Sequence, residues 1–446
     1  MKKLTFFFVI FVLLSCNQQK NEITVKLDTE NGYGVFLHGK RIIGPSQIAL
    51  DYQGVPSDIK EFVVRSYQLQ TDQYYYNLYK SGKIDKKRFE NYASYYNIDT
   101  TILTTEFIDC EVLILIGTNQ NNKRIIIVDS DNNNNFDGEK IIEYDYPLSI
   151  EKQKEVDSLL PILPVRYDYY INGKRISKKA NIKPSPYLMS SGLTFNTKSE
   201  TEKKYYLFAG IPEYKTGKMK IDQDQFDIFV SNKFTSTTYT NNNSWIFINN
   251  QKNKVPSQPN GDIPFQIGDI FNANGKDYLI QSISIWGDTL KLKYLGINTH
   301  PIGFTEGFFI PKFHALKLDN SVFSLDQYLG NYVLLDFWGT WCEPCIKLIP
   351  DFKKLYQDFN DKNLSFVSVA YDRDINKVID FVTNEKMDWI HVFVDQSNID
   401  KNSLVEKLKI TSFPSTILIA PNGEIIARNK DMNELREILS KKLKAL

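Results

Sequence analysis

Two cysteines separated by two residues, Cys342 and Cys345, constrain this chain more than any other feature of its sequence. The apolar run 332–335 before them is typical of a buried strand, and Pro344 between them suits the first turn of a helix. A thiol at the start of a helix lies near unpaired backbone N–H groups and the positive end of the helix dipole. Both favour the thiolate, which is the form that attacks disulfides. The pattern therefore predicts a site of dithiol–disulfide exchange.

A structural zinc site is the main alternative for this pair. Such a site would need two further Cys or His ligands at suitable spacing. Besides the pair, the chain has only Cys16 and Cys110, and its four histidines are scattered. Because the pair stands between a predicted strand and a predicted helix, redox chemistry is favoured over zinc. We therefore expect a redox-active Cys342–Cys345 disulfide and no metal at this site.

The last third of the chain, from about residue 310 to 446, resembles the TlpA/ResA-like thioredoxin-fold disulfide reductases of bacterial envelopes. The resemblance is carried by Trp338-Gly339-Thr340-Trp341-Cys342-Glu343-Pro344-Cys345, by Pro350, by Phe413-Pro414-Ser415-Thr416, and by the opening segment Ile310-Pro311-Lys312-Phe313-His314-Ala315-Leu316 with Ser324-Leu325. It implies an α/β thioredoxin-like C-terminal domain, in which a central mixed sheet is flanked by helices. The rest of the chain lies outside the resemblance.

The resemblance also implies roles for individual side chains. Cys342 would attack a substrate disulfide, and Cys345 would resolve the mixed disulfide. Asp336 would be buried beneath the pair with a raised pKa and would exchange the proton of Cys345. Trp341 and a cis peptide bond at Phe413–Pro414 would position an extended substrate segment. The plainer alternatives are a solvent-exposed Asp336 at a strand end and a trans proline that begins a strand.

The N-terminus is typical of an exported protein. Lys2 and Lys3 precede the apolar run 4–14, which is too short to span a bilayer. The segment Leu13-Leu14-Ser15-Cys16 resembles a bacterial lipoprotein signal, which implies cleavage before Cys16 and lipidation of that residue. The alternative is an ordinary signal peptide in which Cys16 is incidental. Both predict the cell envelope, where disulfides persist, and a lipid anchor would hold the protein at the inner or outer membrane, facing the periplasm.

A chain of 446 residues is expected to form two or three domains. The 26 tyrosines and 29 phenylalanines, together with Asn-rich turns, favour a mainly-β region before the C-terminal domain. We predict the following organisation: a signal peptide with a lipidated cysteine over 1–16, a tether over 17–22, a β-rich domain over 23–165, a second β-rich domain or a continuation of the first over 166–300, a linker over 301–309, and the thioredoxin-like domain over 310–446.

Within the β-rich region, local patterns predict several elements. Apolar alternation on both sides of Asn31-Gly32 predicts a hairpin over 23–37. Helical spacing of aromatic residues predicts a helix over 85–96. Strands over 265–271, 278–285 and 289–295 are expected to form a meander. No cluster of acid, base and nucleophile is found over 23–300, so this region is interpreted as a binding, spacing or docking module.

An Asp/Asn-rich run follows the predicted strand 124–128. Its alternate oxygen-bearing side chains are typical of a calcium loop: Asp129, Asp131, Asn133, Asn135 and Asp137. The twelfth position is Lys140 rather than Glu, so the match is imperfect. A hairpin turn is the alternative, because Asn and Asp tolerate left-handed backbone geometry, and we favour it over calcium. The remaining thiol, Cys110, is expected to be a small buried apolar residue.

The net charge of +1 gives no indication of nucleic-acid binding. The function predicted from the sequence is an envelope thiol–disulfide oxidoreductase that reduces disulfide-containing envelope proteins through a mixed disulfide. The resemblance implies a membrane thiol donor of electrons. One alternative is a ligand- or partner-binding surface lipoprotein with an accessory redox domain. Another is a net oxidant, which the reduction potential of the pair would decide.

Overall fold

The computed structural model describes residues 21–37, 39–44, 49–96, 98–145, 149–186, 201, 204–241, 243–256, 262–360, 362–397 and 403–443. The predicted signal peptide 1–16, its lipidated Cys16 and most of the tether 17–22 lie outside the described residues. Among the residues that are described, no helix combines the length and the apolar composition needed to cross a membrane.

The elements of the β-rich region precede residue 300. Its helices are α1 (Thr71–Lys80), α2 (Lys86–Tyr95) and α3 (Ile150–Leu159). Its strands are β1 (Glu22–Lys26), β2 (Asp28–Asn31), β3 (Arg41–Ile43), β4 (Ile59–Gln68), β5 (Glu111–Asn119), β6 (Arg124–Val128), β7 (Ile141–Tyr144), β8 (Leu163–Ile171), β9 (Lys174–Pro186), β10 (Leu207–Gly210), β11 (Glu213–Ile221), β12 (Asp224–Ser231), β13 (Trp245–Asn250), β14 (Ile270–Ala273), β15 (Lys276–Ile283) and β16 (Thr289–Ile297). Helix α2 confirms the helix predicted over 85–96, and the Asp85 side chain caps it by accepting the N–H of Arg88 at 2.8 Å.

The C-terminal domain follows. Its strands are β17 (His314–Lys317), β18 (Val322–Ser324), β19 (Tyr332–Trp338), β20 (Leu364–Asp372), β21 (Ile390–Asp395), β22 (Ser415–Ile419) and β23 (Ile425–Arg428). Its helices are α4 (Glu343–Phe359), α5 (Ile375–Asn384), α6 (Leu404–Lys407) and α7 (Met432–Leu443).

The β-rich region is built from antiparallel sheets that pack in pairs. Sheet β4-β5-β6-β7 and sheet β3-β10-β9-β8 share one apolar core. Sheet β13-β12-β11-β2 and sheet β1-β16-β15-β14 share a second core. The division predicted at residue 165 falls inside β8, and strands from both sides of it form one sheet. These pairings favour a continuation over a separate second domain, and the domain limits stay a prediction.

The hairpin predicted over 23–37 is wrong. Strand β1 pairs with β16, so that Ile23 lies opposite Leu292 and Val25 opposite Leu290, whereas β2 pairs with β11. Alternation in a strand specifies which side chains face a core but not which strand lies beside it. The meander predicted over 265–295 is confirmed as β14, β15 and β16, with left-handed Asn274 and Gly275 in its first turn.

The C-terminal domain has the strand order β18-β17-β21-β20-β19-β22-β23. Strand β19 is parallel to β20 and antiparallel to β22, and apolar cores cover both faces of the sheet. A strand buried on both faces requires a continuous apolar run, which 332–338 supplies apart from Asp336. The predicted fold class is confirmed. Strand β19 is an inner strand of the sheet, and Cys342 lies just beyond its carboxyl end.

The segment predicted as a linker, 301–309, packs along β23. The N–H of Gly307 donates to the carbonyl of Ile425 at 2.9 Å, and the N–H of Ile425 donates to the carbonyl of Phe308 at 2.8 Å. A second contact is the ion pair between Lys409 of the C-terminal domain and Asp269 of the β-rich region. The two parts of the chain therefore share an interface beside β23.

Candidate active site

The cysteine pair lies at the junction of β19 and α4. Cys342 is the N-cap residue of α4, and its Sγ accepts the N–H of Cys345 at 3.3 Å. The two cysteines form a disulfide with an S–S distance of 2.01 Å and a Cα–Cα distance of 5.3 Å. After reduction, the same N–H and the helix N-terminus would favour a negative charge on Cys342. The geometry therefore provides what a nucleophilic thiolate needs.

The disulfide lies close beneath the surface. Cys342 is 3% exposed and Cys345 is 4% exposed, and both pack against Trp338 and Ile349. The neighbouring Trp341, in contrast, is 50% exposed. A bulky folded surface cannot reach the sulfurs easily, so this geometry favours a disulfide on a protruding or extended segment.

The turn before the pair is held by the carboxyl end of the adjacent strand β20. Asp372 accepts both the N–H and the hydroxyl of Thr340, at 2.8 and 2.7 Å. The indole N–H of Trp341 donates to the carbonyl of Tyr371 at 2.8 Å. A Cβ on Gly339 would lie 2.5 Å from that indole nitrogen and 2.7 Å from the same carbonyl, so only glycine fits here. The sequence analysis did not identify Tyr371 and Asp372 as site residues. Their position at the carboxyl end of a strand parallel to β19 could have indicated that they lie beside the cysteine pair.

Asp336 is buried in the middle of the sheet, so the alternative of a solvent-exposed strand end is wrong. Burial raises the pKa of its carboxyl group from 3.8 to about 7, and this is only partly offset by the hydroxyl of Ser368, which donates to Oδ2 at 3.1 Å. Trp389 in turn donates its indole N–H to the Ser368 hydroxyl at 2.8 Å. This chain of hydrogen bonds orients a carboxyl group that can gain or lose a proton near neutral pH.

The Phe413–Pro414 peptide bond is cis, and the aromatic ring before it packs beside the disulfide. The ring of Phe413 stacks on that of Tyr371, with centroids 5.2 Å apart and planes 7° apart. It meets the ring of Trp341 edge-on at 5.3 Å. We call Trp341, Tyr371 and Phe413 the aromatic wall. This surface offers apolar contact to a chain segment that approaches the cysteines.

His391 and Cys110, two further side chains with titratable groups, lie in packed environments. Burial lowers the pKa of His391 to about 4, and its Nε2 lies 3.0 Å from the carbonyl of Met387. Cys110 is buried in another core, and burial raises the pKa of its thiol. The lowered pKa makes His391 a weak base, and the raised pKa keeps the Cys110 thiol protonated, so neither residue suits acid–base or nucleophilic chemistry at neutral pH.

The Asp/Asn-rich loop uses its side-chain oxygens within the loop. Asp129 accepts the N–H groups of Asn133 and Asn134 at 3.1 and 2.8 Å. Asn133 accepts from the N–H of Asn135 at 2.8 Å, and Asn135 accepts from the N–H of Asp137 at 3.0 Å. The carboxylates that come within 4.8 Å of one another are those of Asp129, Asp131 and Glu139, which is not the set predicted from spacing. These contacts are those of a self-bonded turn, and no finding supports calcium here.

Comparisons with known proteins find thioredoxin-like relatives. The model of a family described as thioredoxin-like matches residues 330–425. The thioredoxin-like protein YneN of Bacillus subtilis is 30% identical over 139 residues, which are 30% of this chain and 75% of that protein. The thiol–disulfide oxidoreductase ResA of Oceanobacillus iheyensis is 34% identical over 116 residues, which are 24% of this chain. The chain spans about half of that relative, 54% of its length.

Solved structures include a similar domain. The thioredoxin domain of a thiol–disulfide oxidoreductase from Bacteroides vulgatus is 29% identical, and the match covers 31% of this chain and 98% of that one, with a TM-score of 0.29. The family-model match, over residues 330–425, falls on the last third of the chain.

Proposed function

Because the chain belongs, through its C-terminal domain, to the thioredoxin-like thiol–disulfide oxidoreductases, we propose that it reduces disulfides in proteins of the bacterial cell envelope. The observation that supports this most directly is the disulfide between Cys342 and Cys345 at the start of α4, with a buried carboxyl group on the preceding strand. The reaction needs no cofactor other than this cysteine pair.

The proposed reaction starts from the reduced pair. The Cys342 thiolate attacks one sulfur of the substrate disulfide, a new S–S bond forms, and the other substrate sulfur leaves as a thiolate. The Cys345 thiolate then attacks Cys342, which releases the second substrate thiol and leaves the Cys342–Cys345 disulfide. Two electrons pass from the pair to the substrate. A membrane thiol donor would return them, and this partner is inferred from the resemblance only.

Asp336 is proposed to exchange the proton of Cys345 during the second step. Its pKa of about 7 leaves a large fraction of the carboxylate able to accept a proton at neutral pH, and the group remains a workable acid afterwards. The support for this role is the burial of Asp336 and its place on β19, six residues before the nucleophile.

The direction of net reaction is tested by the reduction potential of the full-length protein. The reduction potential of a reductase is expected to be closer to that of thioredoxin, about −270 mV, than to that of a strong oxidant, about −120 mV. Equilibration with glutathione buffers, read by mass spectrometry after alkylation, measures this potential. A value near that of the strong oxidant would reject the reductase assignment and favour a net oxidant.

The aromatic wall is proposed to select extended segments with apolar residues beside the disulfide. Phe413→Ala removes the ring that contacts both Trp341 and Tyr371. We expect the preference for a Leu-flanked over a Ser-flanked disulfide peptide, measured as the ratio of kcat/KM values, to fall about three- to tenfold. Phe107→Ala, at a ring exposed outside the site, is the matched control. An unchanged ratio in the Phe413 variant would show that the wall does not select substrates.

We also propose that the mature protein is anchored by lipid on Cys16 and faces the periplasm, at either the inner or the outer membrane. The support is the sequence of residues 1–16 alone. The mass of the mature N-terminal peptide tests this part of the proposal, because a cysteine without lipid would leave only an ordinary signal peptide.

A further inference from the structure

A buried arginine stands at the interface between the β-rich region and the C-terminal domain. Arg428, at the end of β23, is 6% exposed. Its guanidinium donates to the carbonyls of Phe304 at 2.6 Å, Leu408 at 2.7 Å and Lys409 at 3.1 Å. Among the described residues it forms no ion pair with a carboxylate. Burial lowers the pKa of Arg428 to about 10, so the group remains a cation at neutral pH.

Arg428 lines a cavity of about 330 Å³ between the two parts of the chain. Half of the lining residues are apolar and half are polar or charged. The apolar half comes from the β-rich region and the segment along β23, and it includes Phe226, Phe247, Phe265, Phe271, Ala273 and Phe308. The ring of Phe271 meets those of Phe226 and Phe265 edge-on, with centroid distances of 5.6 and 6.1 Å, so the rings on this side of the cavity pack against one another. This volume is at the lower end of the range for small-molecule binding sites, about 300–1,000 Å³.

Two residues that line this cavity each carry a buried N–H donor with no hydrogen-bond partner among the described residues. The donors are Nε of Arg428 and Nδ2 of Asn249, a side chain that is 5% exposed on β13. Buried donors are nearly always paired in folded proteins, so an orphan needs an explanation. Here both residues line the same cavity, and they come from different parts of the chain.

Glu306, an acidic residue of the lining, does not satisfy these donors. Glu306 accepts the backbone N–H of Arg428 at 3.0 Å and forms an ion pair with Lys430 at 3.0 Å. The Nε–H of Arg428 and the Nδ2–H of Asn249, which have no partner in the described part of the chain, are therefore complementary to an acceptor oxygen of a ligand in the cavity.

We propose that this interdomain cavity binds a small ligand with an aromatic or branched apolar body that ends in an acceptor oxygen, either a carboxylate or a neutral carbonyl. The apolar body would pack against the phenylalanine rings, and the oxygen would accept from Arg428 and Asn249. Such a site is separate from the cysteine pair, so its failure would leave the proposed redox function untouched.

The test uses three probes of one shape on the full-length protein: 3-phenylpropionate, 4-phenyl-2-butanone and 3-phenylpropylamine. We expect one or both acceptor-bearing probes to bind at least about tenfold more tightly than the amine, which offers donors only. Calorimetry gives the affinities. NMR gives a direct readout, because the Nε–H resonance of Arg428 should shift when an acceptor-bearing probe is added. The carboxylate and ketone arms distinguish an anionic from a neutral ligand.

Two variants locate the site. Asn249→Leu removes one donor and should weaken the acceptor-bearing probes about tenfold. Ala273→Leu places extra methyl groups in the cavity and should weaken all probes. Asn360→Leu, an exposed position at the end of α4, is the matched control and should bind as the unmodified protein does. An unchanged denaturant unfolding curve shows that each variant is folded. Equal binding of all three probes, no binding by millimolar concentrations, or full affinity in Asn249→Leu would overturn the proposal.

Discussion

Replacement of Cys342 by serine is expected to reduce insulin-disulfide reduction to the rate of the chemical reductant alone, whereas Cys345→Ser is expected to accumulate mixed disulfides. The reason is the different position of the two sulfurs. Cys342 caps α4, where N–H groups favour its thiolate, and Cys345 lies one turn further into the helix. Without Cys345, no neighbouring thiol of the protein can attack the mixed disulfide between Cys342 and the substrate. Turnover assays and non-reducing gels with mass spectrometry measure these effects.

Cys110→Ser is the matched control, because this buried thiol lies in another core and should change neither turnover nor trapping. The assignment would be reversed if Cys342→Ser kept its turnover and Cys345→Ser formed no adduct that a reductant releases. Envelope proteins captured by the Cys345 variant would identify the substrate class, which bears on the alternative that the redox domain is accessory to a binding protein.

Asp336→Asn is expected to stabilise the oxidised protein at pH 8 by roughly 4 kcal/mol more than at pH 4. Burial raises the pKa of Asp336 from 3.8 to about 7. Between these values the folded protein holds a proton that the unfolded chain has released, so stability falls as the pH rises from about 4 to about 7. The neutral amide of asparagine has no such dependence. Denaturant unfolding of both proteins at a series of pH values measures the difference.

The same variant is expected to slow the resolution of the mixed disulfide about a hundredfold, which is the lower end of the usual effect of general acid–base catalysis. The rate in the unmodified protein should rise with pH through a midpoint near 7, and the variant should lack that midpoint, because its rate then follows only the ionisation of the Cys345 thiol. Asp351→Asn, at an exposed carboxylate on α4, is the control for loss of a charge. A stability difference that does not depend on pH would show that the pKa of Asp336 is not raised in the folded protein.

The chemistry of the cysteine pair could be predicted from the sequence because it depends on neighbours within about ten residues. The apolar run before Cys342 specifies a buried strand, Pro344 and the spacing of apolar residues specify the helix, and the thiol must then lie at the helix start. The same local logic predicted helix α2 and the meander near residue 280. The resemblance over residues 310–446 supplied the proton-exchange role proposed for Asp336.

Contacts between distant segments were decided only by the tertiary structure. Alternation showed that Val25 faces a core but not that Leu290 lies opposite it. In the same way, Tyr371 and Phe413 stack although 42 positions separate them, and Asn249 and Arg428 line one cavity from different parts of the chain. An apolar pattern fixes which face of an element is buried, whereas the partner of that face depends on how all the sheets pack together, and no local stretch of sequence encodes that choice.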